Sequence, residues 1–202
     1  MFGGPQGGGN ALAVVLNGET VAPDARQGMA RELGYSETVF VDDPHTGRLQ
    51  IFTPAAELPF AGHPLVGAAW LLERRGYPAE VLRPPAGEVP ARHEHGLSFV
   101  SGRPEWAPRF RWQQLSSAAE VEALEPPESG LAAFWAWNGS GTVRARVFPR
   151  DLGIEEDEAT GAAAVLLGAE LDRPLEIHQG RGSIIHVAPR PDGLVEIGGR
   201  VR

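Results

Sequence analysis

Apolar residues recur along this chain in two rhythms. Runs of strand length, alternating or continuous, occupy residues 11–16, 38–41, 49–52, 97–100, 134–137, 143–148, 184–187 and 194–197, as half-buried and buried strands do. Longer stretches predict helices at 23–33, stopped by Gly34, at 63–75, stopped by Gly76, and at 161–171, with a shorter one at 117–124. Glycine just past the last turn is a common helix stop. Strands dominate and the long helices are few and far apart, which predicts an α+β protein.

Two of those helices are apolar or small on every side: Val66-Gly67-Ala68-Ala69-Trp70-Leu71-Leu72 in one, Ala162-Ala163-Ala164-Val165-Leu166-Leu167 in the other. A helix apolar all round is a buried helix. Each follows a strand ending in phenylalanine, Phe52 or Phe148, and each has a glycine at its start, Gly62 or Gly161. The repetition reads as an internal duplication, two strand-rich halves each wrapped round one buried helix. Pro104 and Pro108 interrupt the strand pattern between them. The expected halves are therefore residues 1–103 and a reduced 104–202, with the C-terminal strands crossing back as a hairpin around Pro191-Asp192-Gly193.

Composition narrows the chemistry more than the fold. A net charge of −8 with scattered arginines argues against a nucleic-acid partner. No apolar run approaches the roughly 20 residues that span a bilayer, and no basic segment followed by an apolar one opens the chain, so a cytoplasmic protein is expected. Cysteine is absent and all 18 basic residues are arginine. That removes lysine Schiff bases, lysine phosphate loops and thiolate nucleophiles, and leaves proton transfer to carboxylates and histidines. Asp43 with His45, and His93 with His95, have a spacing that metals use, but no third ligand follows at a recognisable distance and no metal is expected.

Three words carry the candidate chemistry. In Ala61-Gly62-His63-Pro64-Leu65-Val66-Gly67 a strand delivers a histidine to a helix start; proline suits the first turn, and small neighbours leave amides open to an anion. In Ser36-Glu37-Thr38-Val39-Phe40-Val41 strand alternation puts Glu37 on the face of Val39 and Val41, and partial burial there raises a carboxyl toward the range useful for acid–base work. In Glu156-Asp157-Glu158-Ala159-Thr160-Gly161 an acidic cluster precedes a buried helix. On spacing alone each has an ordinary alternative: a solvated strand-start glutamate, a helix-start histidine bonded to backbone, an acidic first turn favouring the helix dipole. Backbone amides of Gly62 and His63 at one helix start, and of Thr160, Gly161 and Ala162 at the other, make a cradle for a carboxylate.

These words, in this order, resemble the phenazine-biosynthesis PhzF-like family of isomerases and epimerases, and the similarity runs from Gly9-Asn10 to Gly198-Gly199. The resemblance implies the diaminopimelate-epimerase-like fold, with the two helix starts facing a shared cleft, and a cofactor-independent isomerase or epimerase acting on a small carboxylate metabolite. It implies Glu37 as the proton-shuttling residue and His63, Asp157, Gly62, Thr160, Gly161, Ala162 and Asn10 as substrate-binding residues. It also implies a homodimer as the common assembly. Departures from the family pattern are visible. The chain is shorter, mainly between Val100 and Arg144, Ala162 stands where serine is frequent, Glu158 replaces a usual proline, and Ala11 follows Asn10 where proline is usual. Those changes open an alternative, a degenerate non-catalytic binding or interaction protein.

Overall fold

The computed structural model describes residues 1–5 and 7–202. The first half runs β1 (Ala13–Val15), α1 (Pro23–Leu33), β2 (Thr38–Asp43), β3 (Arg48–Phe52), β4 (Glu57–Leu58), α2 (Gly62–Arg74), β5 (Val81–Leu82), β6 (Val89–Glu94) and β7 (Leu97–Gly102). The second runs β8 (Arg111–Gln114), α3 (Ala118–Ala123), β9 (Leu131–Trp137), β10 (Thr142–Pro149), α4 (Gly161–Leu171), β11 (Leu175–Gln179), β12 (Ser183–Pro189) and β13 (Val195–Gly199). The α+β class and the two halves around buried helices are as the sequence pattern predicts.

Strand pairing follows one plan twice. β1 lies parallel to β2, and β8 parallel to β9; β2 runs antiparallel to β3, and β9 to β10. β3 meets the β5 edge in parallel through an Arg48–Arg83 bridge, where β10 and β11 form a full parallel pair. The antiparallel pairs β6–β7 and β12–β13 close the two halves, and β7 joins β13. A four-stranded sheet, β1-β2-β3-β4, therefore stands beside a nine-stranded one in the order β5-β6-β7-β13-β12-β11-β10-β9-β8, which runs through both halves.

The register identifies equivalent positions. Thr38 pairs with Phe52 and Ala132 with Phe148, so Glu37 corresponds to Leu131. Leu58 pairs with Ile51 and Asp157 bridges Val147, so Asp157 corresponds to Leu58. Gly62 opens α2 and Gly161 opens α4, which makes Ala162 the counterpart of His63.

Both central helices are buried as their composition requires. Leu65, Val66 and Leu72 of α2 and Val165 and Leu167 of α4 share one core cluster with Ile185 and Ile197 of the sheet. α1 has its proline in the first turn and ends at Gly34 in the left-handed region, φ 68°, where glycine carries no steric penalty. α3 is capped by Ser117, whose hydroxyl accepts from the Glu120 amide.

The apolar pattern misses β4, β5, β6, β8 and β11. β4 and β5 are two-residue strands. β6 contains Pro90 and ends on charged and polar residues, and β8 is a polar strand at a sheet edge, so neither shows a hydrophobic period. β11 does alternate, with Leu175, Ile177 and Gln179 buried, but its third inward residue is polar.

Candidate active site

The carbonyl of Glu37 accepts a 3.4 Å hydrogen bond from the Ala13 amide, which anchors Glu37 beside β1 at the entry to β2. Val39 and Val41 face the main core while Phe40 packs into a separate cluster, and Glu37 is only 6% exposed. His63, on the first turn of α2, is 2% exposed. Its Nε2 lies 3.1 Å from Glu37 Oε2. The two atoms face each other as a buried pair, and neither meets a further hydrogen-bond partner. Buried polar groups are nearly always satisfied, and a facing pair with no further partner is available to a ligand.

Asp157, 5% exposed, reaches the same place from the loop before α4. Glu37, His63 and Asp157 line one cavity of about 30 Å³ together with Gly62, Thr160, Gly161 and Ala162. The remaining wall is apolar, including Phe60, Pro108, Phe110, Leu152 and Ile154. The helix starts touch: a Cβ on Gly62 would stand 2.8 Å from the Gly161 Cα. The first main-chain bonds of the helices run from Leu65 N to Ala61 O and from Ala164 N to Thr160 O. The amides of Gly62 and His63, and of Gly161 and Ala162, thus stand ahead of both helical ladders at the positive ends of two dipoles.

The two carboxyls are driven in opposite directions. Burial works to raise Glu37, but attraction to the His63 imidazole, helped by contacts to His63 and Ser36, outweighs it and holds the carboxyl below its ordinary value. Asp157 is raised, first by burial and then by the neighbouring charge of Glu37. Environments that separate two carboxyls in this way separate a base from an acid.

Two expected site residues are tied to their neighbours. The Asn10 Nδ2 donates to Asp157 Oδ1 at 2.6 Å and its Oδ1 accepts from Ser36 Oγ at 3.0 Å. It thereby ties the residue preceding Glu37 to Asp157, across the two halves. Thr160, expected to offer its amide, donates it instead to Gln179 Oε1 at 3.2 Å, while its hydroxyl donates to Asp157 Oδ2 at 2.7 Å. The metal-spaced pairs lie elsewhere. Asp43 Oδ1 caps the turn at His45 and Thr46, His93 Nδ1 meets Ser98 Oγ at 2.9 Å, and His95 sits in a turn at φ 50°. Sequence reading missed Gln179 and the Ser36 hydroxyl; the readable signal for Gln179 is a polar residue on the buried face of an alternating strand.

Comparison with known proteins agrees with this arrangement. The family model described as "Phenazine biosynthesis-like protein" matches residues 1–130. The trans-2,3-dihydro-3-hydroxyanthranilate isomerase of Pseudomonas aeruginosa is 32% identical over 216 residues, covering 86% of this chain and 78% of that protein.

The chain belongs to the phenazine biosynthesis-like, or PhzF, family.

Like its relatives it is an enzyme of the isomerase and epimerase type. Among solved structures, a predicted epimerase from Pseudomonas aeruginosa is 27% identical with a TM-score of 0.71, covering 96% of this chain and 90% of that one. A PhzF-family protein from Bacillus anthracis superposes with a TM-score of 0.77 at 19% identity, over 95% of this chain and 90% of that one, and shows the same fold. A probable proline racemase from Agrobacterium radiobacter shares the fold more distantly, with a TM-score of 0.60 at 12% identity. In this architecture the polar groups sit where α2 and α4 begin side by side.

Proposed function

We propose that this protein is a cofactor-independent isomerase that moves a proton between carbons of a small cyclic or amino carboxylate, with Glu37 as base and then acid. The observation that carries the reading is the Glu37–His63 pair, 3.1 Å apart and buried, with no further hydrogen-bond partner on either facing atom. A carboxylate kept ionised in a dry, apolar site is a competent base.

The step balances without an added oxidant or reductant. Glu37 takes a proton from a carbon next to an unsaturated or carboxyl-bearing centre, and the C–H electron pair shifts into the conjugated system, placing negative charge on the substrate carboxylate. Protonated Glu37 then returns the proton to the same or another carbon. The amides ahead of α2 and α4 face the position where that carboxylate would sit, and oriented N–H dipoles stabilise charge that develops there. His63 and Asp157 would hold the substrate. The counterparts of Glu37 and His63 are Leu131 and Ala162, so removal and return of the proton are both assigned to Glu37.

The test is proton exchange followed by NMR in deuterated water, with trans-2,3-dihydro-3-hydroxyanthranilate and a panel of amino acids as probes. Glu37→Gln is expected to lower exchange by about 10²–10⁴ in protein that remains folded. Exchange that survives this change would remove Glu37 from the mechanism.

A further inference from the structure

We infer that Gln179 is a positioning residue of the proton-transfer site, fixing the direction of the Thr160–Asp157 hydrogen bond from behind the loop that carries both residues. The inference rests on the reading of Asp157 as a substrate-site group.

Gln179 ends β11, is 2% exposed, and does not line the cavity. Its side-chain amide is nonetheless fully engaged. Oε1 accepts from the Thr160 amide at 3.2 Å, and Nε2 donates to the Asp157 carbonyl at 2.6 Å and to Thr160 Oγ1 at 2.8 Å. These three bonds leave one orientation for the amide, because turning it over would face donor to donor and acceptor to acceptor.

The consequence passes through the hydroxyl. Thr160 Oγ1 has a single proton, and Gln179 occupies an acceptor position on that oxygen, so the proton is directed to Asp157 Oδ2 at 2.7 Å. Asn10 fills Oδ1 from the other side at 2.6 Å. Asp157 thus receives donors on both oxygens, Asn10 and the more distant Ala159 amide at 3.4 Å on Oδ1 and Thr160 on Oδ2, which fixes the plane of the carboxyl facing the substrate. The charged or titratable groups facing it are Glu37 and His63 across the cavity. Its flanking acids are turned away: Glu156 pairs with Arg146 at 2.7 Å, and a Glu158 oxygen accepts from the Arg181 amide. Glu176 and His178 of β11 alternate with the buried residues of that strand and bond to each other.

Gln179→Glu keeps the shape and reverses the polarity. The new carboxylate accepts the Thr160 proton, cannot donate to the Asp157 carbonyl, and adds a like charge near Asp157. The experiment is a pH titration of the labelled Asp157 carboxyl by carbon NMR, assigned with Asp157→Asn. The expected result is an upward displacement of the Asp157 midpoint by about one pH unit, with Thr160→Val moving it in the same direction. Gln179→Met, which removes the donors without adding charge, should displace it less. An unmoved midpoint in folded Gln179→Glu, or equal displacement in the Glu and Met variants, would show a merely structural role and overturn the inference. If Gln179→Glu does not fold, Thr160→Val decides, and an Asp157 midpoint unmoved there overturns it equally. The titration needs no turnover, so its failure leaves Glu37-dependent exchange standing, and loss of that exchange leaves the titration result standing.

Discussion

Gly62 and Gly161 meet backbone to backbone where the two buried helices begin. A Cβ built on Gly161 would lie 2.7 Å from both the Gly62 Cα and the His63 amide nitrogen. Those neighbours are main-chain atoms that cannot rotate aside, so Gly161→Ala must push the helix starts apart. The expected cost is about 1–3 kcal/mol, although alanine is intrinsically the better helix former by about 1 kcal/mol. At this chain length that lowers the thermal midpoint by about 2–4 °C per kcal/mol. Gly28, inside α1 with nothing within 4 Å of its Cβ position, is the control: Gly28→Ala should raise the midpoint. Calorimetry on the two variants checks both signs, and a stabilised Gly161→Ala would refute the contact.

Much of this site is legible before the structure because its parts obey local rules. The apolar faces of α2 and α4 follow from composition alone, and Gly34 stops α1 by a known steric preference. Of the five strands that escaped, β6 and β8 lack a continuous apolar row, since Pro90 and the largely polar run Arg111-Trp112-Gln113-Gln114 give no period to detect. Glu37, His63 and Asp157 could be named from the family words, but their convergence could not be read from spacing. It is produced by the contact of Gly62 with Gly161 and by the union of β7 with β13, both long-range. Asn10 shows the limit most clearly: the resemblance implies a substrate contact, and only the fold brings its amide to Ser36 and Asp157.

His63 sets the charge state of Glu37, which makes its removal visible in pH dependence. With the imidazole present the carboxyl lies below its ordinary value, so its stabilising effect is present above that ordinary value and is lost as pH falls through the lower, folded one. His63→Ala leaves only the Ser36 contact to oppose burial, and the carboxyl should then titrate higher than in the parent. The acidic limb of the rate profile is expected to move to higher pH, with exchange at mildly acidic pH lowered roughly tenfold or more. Measuring exchange rate against pH for both proteins tests this; superimposable acidic limbs would contradict the pairing.

Arg26 makes a separate, structural prediction. It is 4% exposed, and its guanidinium pairs with Asp42 at 2.6 Å, donates to the Gly18 carbonyl at 2.7 Å and also bonds Gln50. Arg26→Leu leaves Asp42 without its ionic partner and removes one of the two donors to the Gly18 carbonyl, the Val21 amide being the other. Breaking one side of a buried pair costs about 3–5 kcal/mol. Urea unfolding should show that loss, and Arg26→Leu combined with Asp42→Leu should recover part of it. Exchange activity per folded molecule is expected to be unchanged, because this network lies outside the cavity.

Asp157 offers the sharpest division between stability and activity. Burial and the charge of Glu37 raise its carboxyl in the folded protein. Between the ordinary value and that raised one, the folded chain holds a proton that the unfolded chain has released, so stability falls as pH rises through this window. Above the raised value the full penalty persists. Asp157→Asn has no proton to lose in either state. Its oxygen can still accept from Asn10, while its N–H replaces the acceptor of the Thr160 hydroxyl, so it should gain on the parent as pH rises, by about 2–4 °C for each kcal/mol relieved. The difference should level off at pH below the ordinary carboxylate range. Exchange should nevertheless fall, because the amide alters a group proposed to hold the substrate, a trade common at functional positions. Thermal unfolding across pH, paired with the NMR exchange assay, reads both effects. A midpoint difference that does not grow with pH would mean that its surroundings do not raise the Asp157 carboxyl.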